Sequence, residues 1–450
     1  MTDILALLQP IQNSVSKTTL RQMSRIIVAM IAMTGRVTML GISRWSEKGG
    51  SYRSIQRLYA TVIPWAQVFW VFFRAHLLDQ QDTYLLAGDE SVVSKAGKHT
   101  HGLDYFFSNL QQRAVPGLSF FTLSLVSLRQ RRSYPLCVEQ QIRTEAEKAE
   151  SKAKKQAKKA KPTGEKKKPG RPKGSRNKNK AEVTLNPELQ RIQKMLHSLL
   201  NTIRGTIHLT YVVLDGHFGN YPAFQMVRQC HLHLISKLRH DAALHFAYTG
   251  PKPKRGPTPR LGERVDVRRI PDQYLKETKT TNGFETRTYQ LQLLHPDFPE
   301  PLNIVILLRT NLTTGAWTNV ILFSSDLTLS YDQLVDFYSL RFQIEFNFRD
   351  AKQFWGLEDF MNVSQVAVTN ATNLALFMVD VSQVLMCKYR QEDPDFSVLD
   401  LKAIYRGYRY VTETIQMLPQ KPDANLLSQL FRKVTALGRI HPAILPVSSP

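Results

Sequence analysis

The sequence predicts a mixed α/β protein, with a strand-rich first half whose strands end in aspartates and helical regions at both termini. Three observations carry that expectation. Apolar, β-prone runs at Tyr84–Ala87, Leu118–Leu128 and Tyr134–Ile142 succeed one another as an antiparallel meander would. A buried-strand run, His208–Leu214, is followed by a helix at Pro222–Gln229 and a strand at Leu232–Leu238, a β-turn-α-β unit. Apolar residues recur at helical spacing over Thr18–Met33 and Pro64–Leu78, and again over Ser364–Lys388, Leu399–Arg406 and Asn425–Leu437.

Composition narrows the partners. The chain has 450 residues, formal net charge +23 and a pI near 9.9, which points to a polyanion, nucleic acid before membrane. Between Lys148 and Lys180 stand fifteen Lys or Arg against Glu150 and Glu165, a net of +13, so about +10 remains elsewhere. Cys137, Cys230 and Cys387 are scattered, which excludes a disulfide framework and a zinc knuckle and fits a reducing cytosol. The longest apolar runs are too short to span a bilayer, and no signal pattern opens the chain, so a cytoplasmic protein is expected.

In order, residues 1–80 read as a helical domain. Gly49-Gly50 breaks it, and Ser51 can cap a following helix bearing Arg53, Gln56 and Arg57. That helix either enters a DNA groove or packs on the core. Residues 81–239 read as the first part of an α/β core, with Asp89 and Asp215 each closing a strand. His99 and His101 are half of a zinc site that nothing nearby completes. Within this part, 145–183 is a basic low-complexity insert expected to be disordered in isolation. Gly170-Arg171-Pro172 resembles an AT-hook, though a phosphate-binding arm is the simpler reading. Lys237 and Arg239 leave the next strand within reach of phosphate. Residues 240–328 read as a β-rich insertion with strands at Thr286–Leu294, Ile304–Leu308 and Thr318–Phe323, Trp317 standing at the start of the last. Residues 329–360 complete the core, and 361–450 form a C-terminal helical region.

The stretch Tyr338–Lys352 organises the rest. Tyr331 to Trp355 contains neither Pro nor Gly, and Ser330 supplies N-cap chemistry, so one helix is expected. On its wheel Tyr338, Arg341, Glu345 and Lys352 share a stripe about 60° wide, beside an apolar stripe of Phe337, Ile344, Phe348, Ala351 and Trp355. A charged stripe of this kind is often only a solvated face. Here a carboxylate lies between cations, which suits a metal ligand beside a polyanion.

Tyr, two residues, Arg, three residues, Glu, six residues, Lys resembles the YREK signature of bacterial insertion-sequence DDE transposases, and Tyr338, Arg341, Glu345 and Lys352 match it without a gap. With strand–Asp, strand–Asp, helix–Glu in that order, residues 30 to 360 resemble the family's ribonuclease-H-like mixed sheet. The resemblance implies Asp89, Asp215 and Glu345 as the catalytic metal triad for two Mg²⁺ ions, Mn²⁺ substituting. It implies Tyr338, Arg341 and Lys352 as contacts to the DNA ends, and Trp317 as a stacking partner for a displaced base, though Trp317 also reads as a hairpin plug. It further implies cleavage and strand transfer of the terminal inverted repeats into target DNA by a synaptic homodimer. A nuclease on the same fold and an inactive DNA-binding relative are the alternatives. Glu90, Asp350 and Asp359 compete with the triad by proximity. The wheel sets Asp350 away from the Glu345 stripe.

Overall fold

The computed structural model describes residues 3–46, 49–108, 112–149, 153, 156, 183–253 and 256–441. Arg171, the AT-hook-like triplet and most of the basic insert lie outside the described residues. Five helices open the chain: α1 (Ile4–Leu7), α2 (Lys17–Ala32), α3 (Met39–Trp45), α4 (Tyr52–Tyr59) and α5 (Trp65–His76). Ser16 starts α2 and Ser51 starts α4, each hydroxyl accepting from a backbone N–H three residues on, in Ser51 the cap expected from the sequence. The apolar stripes of α2 and α5 are buried in the common core.

A large mixed sheet follows. Its strands are β1 (Tyr84–Ser94), β2 (Asp104–Ser108), β3 (Arg113–Ser127), β4 (Arg132–Gln140), β5 (Tyr211–Leu214), β6 (His233–Leu238) and, after the small pair β7 (His245–Ala247) and β8 (Leu261–Arg264), β9 (Leu275–Thr281), β10 (Phe284–Leu293), β11 (Leu302–Asn311) and β12 (Trp317–Ser324). The order is β2-β3-β1-β5-β6-β12-β11-β10-β9, with β4 also paired to β3. β1, β5 and β6 are parallel neighbours and the other pairings in this sheet are antiparallel. This is the expected mixed α/β architecture with flanking helices, consistent with a ribonuclease-H-like sheet.

The first strand differs from the sequence reading. β1 does not stop at Asp89 but continues to Ser94, because Val92 and Val93 find partners in Ser119 and Leu118 of the long β3. Within 240–328, β9 to β12 prolong this sheet through the pairing of β12 with β6, while β7 and β8 form a separate two-stranded sheet.

Helices cover both faces. Pro187–Ile203 is α6, started by Asn186, whose Oδ1 accepts from Leu189 N at 2.8 Å, with Pro187 where a missing N–H costs nothing. Tyr221–Gln229 is α7 and links β5 to β6. After β12 come α8 (Tyr331–Leu340), α9 (Gln343–Phe354), α10 (Gln365–Arg390), α11 (Val398–Met417) and α12 (Ala424–Ala436). The single helix expected over Tyr331–Trp355 is therefore two. At the joint the N–H groups of Arg341, Phe342, Ile344 and Glu345 each donate to the carbonyl three residues back, which tightens the turn. No Pro or Gly marks it; the side chain of Arg341 is committed to another element. Among the described residues, no helix is long and apolar enough to cross a membrane.

The two helical ends meet. Asn370 of α10 is buried, donates to the carbonyls of Leu58, Tyr59 and Thr61, and accepts from Trp65 Nε1 at 2.8 Å. One amide thus satisfies the C-terminal end of α4 and the start of α5. Replacing it leaves several buried polar groups unpaired, so Asn370→Ala should cost about 2–4 kcal/mol by urea denaturation. A change below about 0.5 kcal/mol would show that water satisfies these groups.

Candidate active site

The parallel register sets the site. Gly88 of β1 lies opposite Leu214 of β5, so Asp89 and Asp215 are the next residues on neighbouring strands. β5 ends there. Asp215 caps a short turn, its Oδ1 accepting from His217 N at 3.1 Å, while its carbonyl accepts from the Ser236 hydroxyl on β6. Gly219 closes this turn against β6, where a side chain would collide with the Lys237 carbonyl.

Arg341, at the joint between α8 and α9, reaches into the same place. Its Nη1 donates to Asp89 Oδ2 at 2.8 Å and its Nη2 to Glu345 Oε1 at 3.0 Å. The Arg341 and Asp89 side chains are only 15% and 19% exposed, Glu345 41%, so the bridge from Arg341 to Asp89 is largely shielded from water. Burial pushes the Asp89 carboxyl up to about 6; Arg341 and the Glu90 N–H oppose the rise, and Asp215 and Glu345 add to it. Burial also raises the Tyr338 hydroxyl, which feels Arg341, Asp215 and Asp89. Tyr338, Arg341, Glu345, Asp89 and Asp215 thus share one electrostatic environment.

Other candidates are placed differently. Lys352 Nζ donates to the Val92 carbonyl at 2.9 Å and lies 3.3 Å from Glu358, bracing α9 against the far half of β1. Lys237 is exposed on β6 beside the Asp215 turn, and Arg239 pairs with Asp241 at 3.0 Å. Trp317 is 41% exposed, with the Arg268 guanidinium 5.3 Å from its ring centre. It lies on the part of β12 that runs past the end of β6, at the end of the sheet where β5 also stops. Glu90 points to the opposite face from Asp89 and takes a hydrogen bond from Ser119. Asp350 is buried against Arg349, and Asp359 holds Arg36 and the Val37 N–H.

The sequence reading passed over one pair. Glu188, in the first turn of α6, lies 3.4 Å from His217, raising the imidazole and lowering its own carboxyl. The signal available was a histidine two places after a strand-ending aspartate.

Asp89, Asp215 and Glu345 offer only carboxylate oxygens, the donor type that Mg²⁺ takes. Among the described residues, no three Asp, Glu, His or Cys side chains stand close enough to hold a metal ion. Two of these carboxylates instead share a guanidinium, so this position already attracts positive charge. The donor set fits a hard divalent cation in kind and in charge.

A mixed sheet in this order, with Asp89 and Asp215 on adjacent parallel strands, is consistent with the architecture of a ribonuclease-H-like DDE nuclease. The chain belongs to the DDE superfamily endonucleases, whose family model matches residues 10–295. Enzymes of this superfamily depend on divalent metal ions and act on DNA. The match includes Asp89 and Asp215 and ends before Glu345. The comparison with curated proteins gave no match.

Proposed function

We propose that this chain is a cut-and-paste transposase of the YREK-signature insertion-sequence group, cleaving the terminal inverted repeats of its own element and joining them to target DNA. The observation that carries the reading is the meeting of Arg341 with Asp89 and Glu345, beside Asp215. Arg341 and Glu345 of the YREK-spaced segment meet Asp89 within β1, beside Asp215 just past the end of β5, and both aspartates lie far away in sequence.

In this reading Asp89, Asp215 and Glu345 hold two Mg²⁺ ions, Mn²⁺ serving in their place. Such ions, when bound, activate a water or a 3′-hydroxyl and stabilise the leaving oxygen. The chain's own groups do the rest. Burial around Asp89 limits water at the reacting phosphate. Arg341 offers its guanidinium to the phosphate as well as to the carboxylates, and Tyr338 orients the strand through its hydroxyl. Lys352 keeps α9 seated on β1. Lys237, Arg239 and Arg171 of the basic insert contact backbone phosphate, and Trp317 contacts a base. Two copies hold two ends in the synaptic complex, in the cytoplasm.

A nuclease without strand transfer is the second reading, favoured by a family match that stops short of the Tyr338–Lys352 segment. The two separate in one reaction. A labelled duplex ending in the repeat that bounds this reading frame is incubated with plasmid and Mg²⁺. Joining of the label to plasmid is expected; cleaved ends that never join would reduce the enzyme to a nuclease.

A further inference from the structure

We propose that the face of β2 and β3 next to Lys95 is a binding groove for single-stranded DNA, separate from the carboxylate site. The inference rests on the chain's membership among DNA-cutting enzymes, not on the strand-transfer reading.

The register places the groove. Counting in twos from Asp89, one face of β1 carries Ser91 and Val93, and Lys95 follows just past its end. The pairing carries this face to Pro116 of β3, bonded through its carbonyl to Lys95 N, and then to Tyr105 and Phe107, which lie opposite Pro116 and Ala114. The groove therefore opens on the same face as Asp89, six residues or about 20 Å further along. Ser91 and Val93, between the two places, are buried.

A cavity of about 630 Å³ lies here, lined by Arg36, Lys95, Tyr105, Arg113 and Pro116 among others. Tyr105 is 64% and Phe107 59% exposed, alternate residues on the strand that ends the sheet. Large aromatic rings left in water on an edge strand need a reason. The charge around them supplies one. Arg36 pairs with Asp359 at 3.1 Å. Lys95 donates to the carbonyls of Glu358 and Phe360 and sits 3.5 Å over the Phe360 ring, contacts that leave its charge in place. The Glu358 carboxylate is taken by Lys352. With Arg36 and Glu358 each matched by an opposite charge, Lys95 leaves the wall net positive. Tyr105 in this basic groove, with Phe107 exposed two residues on along the same strand face, suits a strand whose bases are unpaired, because a duplex keeps its base faces stacked inside. Small floor residues, Ala114 and Pro116, let the strand lie flat against the sheet.

The test is a binding measurement in EDTA, where metal-dependent cleavage cannot occur. Its outcome is thus independent of whether the carboxylates cut DNA. Fluorescence anisotropy compares a single-stranded oligonucleotide of roughly 16 nucleotides with its duplex, at about 0.2 M salt to weaken contacts from the basic insert. The variant Tyr105→Ala/Phe107→Ala should lose at least about tenfold in affinity for the single strand and less than about twofold for the duplex. Both rings are exposed, so truncation leaves no buried cavity, and a thermal melt checks the fold. In the unsubstituted protein, a 5-bromodeoxyuridine oligonucleotide should photocross-link within 104–108. Single-strand affinity within about twofold of the parent would overturn the proposal. So would equal losses on single strand and duplex, or cross-links found only elsewhere.

Discussion

Asp89→Asn and Glu345→Gln should each lower Mg²⁺-dependent DNA cleavage by at least about a thousandfold while leaving DNA affinity within about threefold of the parent. The amide keeps the size of the side chain but cannot carry the charge that divalent ions require. The fold should survive, because Arg341 keeps one carboxylate partner in either variant. The rate is read under single turnover with saturating labelled duplex, and affinity by filter binding in EDTA. Residual cleavage within about tenfold of the parent would remove both residues from the chemistry. Cleavage and binding lost together would make the cluster a structural one. A parent enzyme that binds and never cuts would leave the DNA-binding relative as the surviving reading.

Lys402→Met should flatten the pH dependence of stability by a few kcal/mol between about pH 7 and pH 10. Lys402 is 8% exposed on α11, donates to the Met30 carbonyl at 2.6 Å and lies 4.8 Å from the Trp355 ring centre. Burial, with a smaller contribution from Arg406, lowers its ammonium from 10.5 to about 7. Below that value both folded and unfolded chains carry the proton, and the full cost of a buried charge is present. Between about 7 and 10.5 the unfolded chain keeps a proton that the folded chain has released, so stability rises with pH across this window. Methionine fills the space without titrating. Urea denaturation at pH 6.5 and 9.5 checks this: the parent should gain on the variant at the higher pH, and parallel changes would contradict it. The lysine also ties α2 to the residue that follows α9, so the same variant reports on how the N-terminal helices are anchored.

Much of the architecture was legible because local signals and burial agreed. The helix predicted at Pro222–Gln229 is α7, which begins one residue earlier at Tyr221 because Asn220 caps it and proline is tolerated in a first turn. The β-branched run before Asp215 could only be a buried strand. Nothing local showed the joint at Arg341, which contains no helix breaker and answers to a carboxylate 252 residues away. Nor did spacing reveal that Lys352 would be spent on Val92 and Glu358. A helical wheel ranks directions; it cannot tell which cation will find an anion and which a carbonyl. The extra length of β1 was hidden for a related reason. Ser91 and Ser94 look like loop residues until the long partner strand supplies their pairing.

The ladder between β6 and β12 has a mechanical consequence. Trp317, held on β11 beyond that ladder, and the turn carrying Asp215 therefore belong to one continuous sheet, so a set span separates them. A polymer that must touch both points has to deform itself to that gauge. Selectivity at this end of the protein would then favour DNA whose helix opens or bends cheaply, even at steps where no side chain reads a base.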